Sequence, residues 1–247
     1  MQNCKPVSTP IVKEAIESGK DEEDDPKFLY REAVGALMYL MTGSRPDLAY
    51  AVGVCSRSLD NPSTQDYMRV KRIFRYIKGT MDLGIVYKHN YKVGYLKGFS
   101  DADHGGDVST GRSTSGVLCM YSGGAVSWSS QRQSSVAIST TEAEIVAASE
   151  CAKELVWLKT LFEGIVQLKD LPVLMVDNEA AIKLAQNPEF HKRTKHIRIR
   201  HFFVRELVLE GEIVIEKVDS SKQIADLMTK ALFKPRLIDL RSLMGLR

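Results

Sequence analysis

A short apolar run at residues 172–176, PVLMV, lies between two helical patterns and is followed at once by Asp177. Such a run is typical of a strand buried on both faces, and that strand needs helices on both sides of its sheet. Short segments bounded by glycine and rich in Val, Tyr and Phe precede it, and they predict an antiparallel meander at 84–87, 95–101, 115–121 and 125–129. The chain therefore favours an α/β fold around a mixed sheet.

Helical patterns surround these strands. A long helix is predicted over 141–164, and the STTE sequence at 139–142 supplies N-cap chemistry for it. The later elements are predicted as helices at 178–187, 197–210 and 222–232, with a strand at 212–218. The first third of the chain predicts three more helices, over 30–42, from the turn at 43–47 to about residue 59, and over 65–78.

These patterns divide the 247 residues into four predicted regions. Five consecutive acids at 21–25 lie in a polar stretch punctuated by proline, so residues 1–27 are expected to be a flexible acidic segment. Residues 28–82 are predicted to form a helical region and residues 83–236 an α/β domain. Residues 237–247 are expected to form a C-terminal tail.

Composition excludes several classes of protein. The chain is 44% hydrophobic and 26% charged, which is ordinary for a globular protein. It contains no apolar stretch long enough to span a bilayer, and its first residues lack the pattern of a signal peptide. The four cysteines lack CxxC spacing, so neither a zinc site nor a disulfide framework is expected. We therefore expect an intracellular protein, in the cytoplasm or the nucleus, with no membrane partner.

The net charge is only +3, but basic residues are clustered in two runs. One run contains Lys192, Arg193, Lys195, Arg198, Arg200 and Arg205, and the other contains Arg69, Lys71, Arg72, Arg75 and Lys78. Either run alone is equally consistent with a solvated helix face. Two such runs in one chain favour a polyanionic partner, because phosphate backbones attract clustered Lys and Arg.

Two carboxylates have a physical case for a functional role. Asp177 ends a buried strand, which is where open α/β sheets bind ligands, although it could merely cap the following helix. Glu144 shares a face of the long helix with the apolar residues, whereas Glu142 lies about 160° away, with the cap or the solvent. An acid on a core face needs a cationic partner, which a salt bridge or a metal ion supplies.

The remaining acids are less distinct. Asp101 and Asp103 lie on the same face of a strand, and alternation does not choose between them. Asp226 falls opposite the apolar stripe of its predicted helix, which favours a surface position. Several acids at strand ends, together with basic runs, indicate hard divalent cations on oxygen ligands. A two-ion site for phosphodiester hydrolysis needs about four such carboxylates.

A series of short motifs runs through the chain in a fixed order. They are CKPVSTP at 4–10, GALMYL at 35–40, RPD at 45–47, SDAD at 100–103, GRSTSG at 111–116, VSWSSQRQ at 126–133, STTEAE at 139–144, VDN at 176–178, RTKHI at 193–197 and QIADLMTK at 223–230. Together they cover nearly the whole chain. This series resembles the Pol polyproteins of copia-type retrotransposons, in the segment that joins reverse transcriptase to ribonuclease H and continues through ribonuclease H.

The resemblance implies a ribonuclease H-like mixed five-stranded sheet flanked by helices, over about residues 93–232, preceded by a small helical connection region. It implies four catalytic, metal-binding carboxylates: Asp101, Glu144, Asp177 and Asp226. It thereby selects Asp101 over Asp103 and contradicts the surface position of Asp226. The implied cofactor is Mg²⁺, as two ions, with Mn²⁺ as a substitute.

The resemblance also implies an endoribonuclease that cleaves the RNA strand of RNA–DNA hybrids. Contacts to the hybrid would come from Lys192, Arg193, Lys195, His196, Arg198 and Arg200. The second implied partner is the reverse transcriptase portion of the parent polyprotein. Met1 falls inside the family's polyprotein, so a truncated copy or a relic reading frame is expected.

Two alternatives stay open. The chain could be a catalytically idle transposon remnant that retains the fold and binds nucleic acid, or a connection module that only contributes contacts within a longer reverse transcriptase. His104 and Gly105 stand where the family usually shows an aromatic and a small residue, which predicts altered packing beside the site.

Overall fold

The N-terminal third of the protein is helical. The computed structural model describes residues 4–13, 29–89, 94–166, 168–186 and 195–247. The first elements are α1 (Tyr30–Gly43), a 3-10 turn (Pro46–Leu48), α2 (Ala49–Ser56) and α3 (Thr64–Lys78). α3 begins at a capping box, because the Ser63 side chain accepts the Asp66 N–H while the Asp66 carboxylate accepts the Ser63 N–H. The three predicted helices are confirmed.

Five strands form one mixed sheet in the order β3-β2-β1-β4-β5. Their bounds are β1 (Lys97–Ala102), β2 (Thr114–Tyr121), β3 (Gly124–Arg132), β4 (Val173–Val176) and β5 (Val214–Lys217). β1, β2 and β3 pair as an antiparallel meander, whereas β4 pairs in parallel with both β1 and β5. This confirms the predicted α/β class and the ribonuclease H-like arrangement of a mixed five-stranded sheet flanked by helices.

One face of the sheet is covered by α4 (Thr140–Glu163), α5 (Glu179–Gln186) and α6 (Lys195–Leu209). α4 lies very close to β1, since a Cβ added at Gly98 would stand 2.6 Å from the Cys151 sulfur. Leu174 and Val176 of β4 are fully buried in the core on this side. Among the described residues, no helix combines the length and apolar character needed to cross a membrane.

The other face packs against the N-terminal helices, α7 (Asp226–Thr229) and α8 (Lys234–Leu243). Met175 of β4 points into this second core, so β4 is covered on both faces as predicted. Leu237, Leu240 and Met244 are almost fully buried in the same core. Residues 237–247, expected to form a tail, are instead part of this layer, because α8 presents these apolar side chains to the sheet and the helices.

A buried polar network joins the N-terminal helices. Arg45 donates two hydrogen bonds to the Asp47 carboxylate, at 2.8 and 2.9 Å, and both residues are 3% exposed. The fully buried Tyr76 of α3 donates its hydroxyl proton to Asp47 at 2.7 Å. A buried charge pair is tolerated when further hydrogen bonds satisfy it, and Tyr76 has that role here.

The described part of the N-terminal segment, residues 4–13, packs along α3. Arg72 donates to the Thr9 hydroxyl, Arg75 donates to the Lys5 carbonyl, and Lys78 donates to the Cys4 carbonyl, at 2.8–2.9 Å. This part of the predicted flexible segment is therefore held in place. These three cations of the basic run at 69–78, and also Arg69, which pairs with Asp66 at 2.7 Å, make contacts inside the protein.

Two elements differ from the sequence prediction. The predicted strand at 84–87 is a single bridge between Ile85 and Leu246, flanked by mutual backbone hydrogen bonds of Gly84 and Arg247. The predicted helix at 222–232 is a 3-10 turn (Ser220–Lys222) followed by the one-turn α7. It is interrupted because the buried Gln223 has an extended backbone and donates its side-chain N–H to the Ser100 carbonyl at 2.9 Å.

Candidate functional site

Three carboxylates from separate parts of the chain meet at one edge of the sheet. Asp101 lies near the end of β1, Asp177 directly follows β4, and Glu144 lies in the second turn of α4. Because β1 and β4 are parallel neighbours, their carboxyl ends share this edge. One oxygen of each side chain lies within 4.8 Å of one oxygen of each of the others. The structure thus brings together three of the four predicted residues in the geometry of a cation site.

Glu144 is the least satisfied member of this cluster. It is only 8% exposed, and its Oε2 atom is buried without a hydrogen-bond partner. Burial and the nearby charges of Asp101 and Asp177 raise the pKa of Glu144 to about 9. A buried carboxylate oxygen without a donor is costly unless a cation neutralises it. The prediction that Glu144 faces the sheet is confirmed.

Asp101 is the most deeply buried of the three, with 1% exposure. Burial raises its pKa, although the nearby Lys230 ammonium and a hydrogen bond from the Thr229 hydroxyl oppose that rise. Thr229 and Lys230 reach Asp101 because α7 packs against the sheet at this point. α7 reaches this position because Gly116, which lies on β2 and pairs with Asp101 of β1, lacks a side chain. A Cβ at Gly116 would lie 2.7 Å from the Met228 Cβ.

Asp177 is available for a ligand because another residue caps the following helix. The side chain of Asn178 accepts the Ala181 N–H at 3.0 Å, which is the capping contact for α5. The alternative that Asp177 serves as this cap is therefore wrong. Asp177 accepts a long hydrogen bond of 3.3 Å from the Ser220 hydroxyl.

The structure distinguishes Asp101 from Asp103, whereas the alternation of side chains along the strand did not show which of them belongs to the site. The strand ends at Ala102, and the Asp103 carboxylate turns back to accept the backbone N–H of Thr114. This hydrogen bond closes the loop between β1 and β2, so Asp103 serves the turn rather than the acid cluster. Glu142 likewise has a local role, since its carboxylate accepts the Ile138 N–H at 2.8 Å next to the start of α4.

Asp226, the fourth predicted ligand, lies next to this cluster but outside the group of three. Its carboxylate is bound by Lys230 at 2.7 Å and by Arg236 at 3.1 Å, and its side chain is 14% exposed. The surface position indicated by the helical pattern is wrong, because that pattern assumed one continuous helix over 222–232. Lys230 also contacts Asp101, with 3.1 Å between its Nζ and Oδ2, so the ammonium lies between the first and the fourth acid.

A groove of about 870 Å³ opens beside the cluster. Glu144 and Lys230 line it together with three arginines, Arg57, Arg69 and Arg132. The Asp107 carboxylate contacts two of these guanidinium groups, at 2.6 Å for Arg132 and 3.9 Å for Arg57. Asp103 lines the same groove and is close enough to Arg57 to interact with its charge, so Asp103 and Asp107 both face the two guanidinium groups.

Asp107 stays ionised in this setting. Its burial opposes ionisation, but hydrogen bonds from Ser109 and Arg132 outweigh burial and hold the pKa of the carboxyl well below its usual range. The charge-assisted hydrogen bond from Arg132 to Asp107 fixes that guanidinium group in the wall of the groove.

Arg57, Arg132 and Lys230 do not stand out in the sequence as candidate site residues. Arg132 and Lys230 belong to the VSWSSQRQ and QIADLMTK motifs, but their spacing does not reveal which acids they approach. The predicted nucleic-acid contacts at Lys192 and Arg193 lie outside the described residues, as do the side chains of Lys195, His196 and Arg198. Arg200 is partly exposed on α6.

Two retrotransposon polyproteins are among the known proteins that are similar to the chain in sequence. No family model matches the chain. The chain is 38% identical over its whole length to the Retrovirus-related Pol polyprotein from transposon TNT 1-94 of Nicotiana tabacum, and the match covers 19% of that polyprotein. It is 37% identical over 94% of its length to the corresponding polyprotein from transposon RE2 of Arabidopsis thaliana, of which 16% is covered. The chain thus spans less than a fifth of the length of these relatives.

One solved structure that is similar to the chain is LC11-RNase H1, isolated from compost. The similarity covers 56% of this chain and 94% of that protein, with 14% sequence identity and a TM-score of 0.44.

Proposed function

We propose that this chain, which belongs to the Pol polyproteins of copia-type retrotransposons, is an endoribonuclease that hydrolyses the RNA strand of RNA–DNA hybrids with divalent metal ions. The observation that carries the proposal is the unpartnered, buried Oε2 of Glu144 beside the carboxylates of Asp101 and Asp177. Three converging carboxylates with an unsatisfied oxygen fit a hard dication such as Mg²⁺.

The four carboxylates would bind two metal ions between them. Asp101, Glu144 and Asp177 would bind one ion, and Asp101 with Asp226 would bind a second. When bound, Mg²⁺ or Mn²⁺ supplies the positive charge that lowers the pKa of an attacking water and stabilises the leaving oxygen. The carboxylates fix the position of that charge, since Asp101 and Asp177 are anchored at the ends of two paired strands.

The arginines of the groove would hold the phosphate backbone next to the acids. Arg57 and Arg132 share Asp107, and this pair faces the same groove as Glu144. Contacts of this kind recognise the shape of the backbone rather than the base sequence. The segment around Lys192 and Arg193 is proposed as a further contact. The reverse transcriptase part of the polyprotein as partner, and an intracellular location, belong to the same proposal.

The test is cleavage of an RNA–DNA hybrid labelled on the RNA strand, in the presence of Mg²⁺. We expect the wild type to cleave, and Asp177→Asn and Asp101→Asn to lose at least about a hundredfold in rate, because each removes a ligand charge. Asp103→Asn tests the choice between the two strand acids and is expected to keep most of the activity. Asp170→Asn, an exposed aspartate ahead of β4, is the matched control.

Equal cleavage by the wild type and Asp177→Asn would refute the proposal. Hybrid binding without any cleavage by the wild type would identify the chain as a catalytically idle remnant. If Arg57→Ala and Arg132→Ala bind the hybrid as tightly as the wild type does, the groove is not the binding surface.

A further inference from the structure

The acid cluster and the neighbouring Asp226 together form two halves that differ in how their charge is balanced. In the half formed by Asp101, Glu144 and Asp177, a buried oxygen of Glu144 has no partner. In the other half, the Lys230 ammonium lies 2.7 Å from Asp226 Oδ1 and 3.1 Å from Asp101 Oδ2. Among the described residues, no basic side chain forms an ion pair with Glu144 or Asp177, whereas Lys230 pairs with both Asp101 and Asp226.

The position of Lys230 follows from the local backbone. α7 ends at Thr229, and Lys230 takes an extended conformation, which directs its side chain back along the helix to Asp226, four residues earlier. The Lys230 side chain is 39% exposed, whereas that of Asp101 is 2% exposed. The ammonium therefore reaches a buried carboxylate from the side that is open to the groove, and it has a path back into the groove.

A second interaction keeps Asp226 neutralised on its other side. Arg236 donates to Asp226 Oδ2 at 3.1 Å and also to the Ser220 carbonyl at 2.6 Å. Asp226 thus has a guanidinium on one oxygen and an ammonium on the other. A second dication at Asp226 would have to replace the ammonium, because two cations a few ångströms apart repel strongly in a partly buried site.

We infer that Lys230 competes with the second metal ion for its site. The Lys230 ammonium occupies the position between Asp101 and Asp226 until a divalent cation displaces it. The inference rests on the proposed function, since it assumes that the acid cluster binds metal. It makes the two ions unequal. The first binds at Asp101, Glu144 and Asp177 without moving Lys230, and the second binds only as Lys230 swings into the groove.

The experiment counts bound ions in the absence of nucleic acid. The full chain is titrated with Mn²⁺, and binding is followed by calorimetry and by electron paramagnetic resonance. An isolated Mn²⁺ gives a resolved spectrum, whereas two ions about 3.5–4 Å apart couple and broaden it. We expect the wild type to bind one ion per chain, with an uncoupled spectrum, over the range in which Lys230→Met binds two.

The expected effect of Lys230→Met is at least about tenfold tighter binding of the second ion, because the competing charge is gone while the side-chain length is similar. Lys230→Arg retains the charge and is expected to behave like the wild type. Lys153→Met is the matched control, since Lys153 pairs with Glu150 on the exposed side of α4. If Lys230→Met does not fold, Lys230→Gln provides the same comparison with a side chain that still donates hydrogen bonds.

Each outcome is decisive. Equal affinity for the second ion in the wild type and in the uncharged variant overturns the role of Lys230 and leaves the proposed function intact. Failure of every variant, the Lys153→Met control included, to bind even one ion refutes metal binding and with it the proposed function. Two coupled ions in wild type and Lys230→Arg alike also overturn the inference.

Discussion

Replacing Glu144 with glutamine should stabilise the metal-free protein at neutral pH. The pKa of Glu144 in the folded protein is about 9, against an ordinary value of 4.5, because of burial and the repulsion from Asp101 and Asp177. Between these two pH values the folded state holds a proton that the unfolded state has released, so stability falls as the pH rises. Each pH unit in that window costs about 1.4 kcal/mol, which gives about 3 kcal/mol at pH 7 and nothing at pH 4.5 or below.

The assay is urea unfolding of wild type and Glu144→Gln at pH 5 and pH 7, with a chelator present. We expect the variant to be more stable by about 3 kcal/mol at pH 7 and by less than about 1 kcal/mol at pH 5. Saturating Mg²⁺ should reverse the order, because only the wild type gains binding energy from the ion.

Glu142→Gln is the matched control for this experiment. Glu142 lies two residues earlier in the same helix, and its carboxylate accepts a backbone N–H near the start of α4. Glutamine keeps an acceptor there, so we expect a small loss of stability and no gain. A Glu144→Gln variant that is less stable than the wild type at pH 7, or a difference that does not change with pH, would refute this account of the acid cluster.

Three further predictions concern the surroundings of the site. Gly116→Ala should cost about 1–3 kcal/mol and weaken Mn²⁺ binding, because the added methyl group displaces α7; unfolding and calorimetry measure the two effects. Tyr76→Phe should lower the free energy of unfolding by about 2 kcal/mol, since it removes the hydrogen bond to the buried Asp47. Asp107→Asn should destabilise the protein at pH 7 and less so at pH 3. The pKa of Asp107 is lower in the folded protein than in the unfolded chain, so the ionised carboxylate stabilises the fold above its ordinary pKa. That stabilisation is lost as the pH falls below the ordinary pKa. An equal loss at both pH values would contradict the third prediction.

Much of the fold could be predicted because hydrophobic periodicity reports burial directly. The apolar run at 172–176 required a strand covered on both faces, and Leu174 and Met175 do point into opposite cores. The same reasoning identified Asp177 from its place after that strand, and Glu144 from its place on the apolar face of α4. These positions depend on local pattern alone.

The rest depended on contacts between distant parts of the chain. Asp101 and Asp103 look alike by alternation, and the hydrogen bond that removes Asp103 from the site comes from Thr114, on the next strand. The surface position predicted for Asp226 was wrong because a helical wheel assumes a continuous helix. The helix is interrupted at the buried Gln223, whose side chain donates a hydrogen bond to the Ser100 carbonyl. Periodicity contains no information about either contact.

The bridge between Ile85 and Leu246 joins the start of the α/β domain to the residues that follow α8. The stretch that links the helical region to the sheet is fastened by the last residues of the chain, through the paired backbones of Gly84 and Arg247. The boundary near residue 82 between the helical region and the α/β domain is therefore held by hydrogen bonds and is not a hinge. If the chain is cleaved near residue 82, the two fragments are expected to stay associated and to stabilise each other. Neither fragment is expected to form the acid cluster by itself.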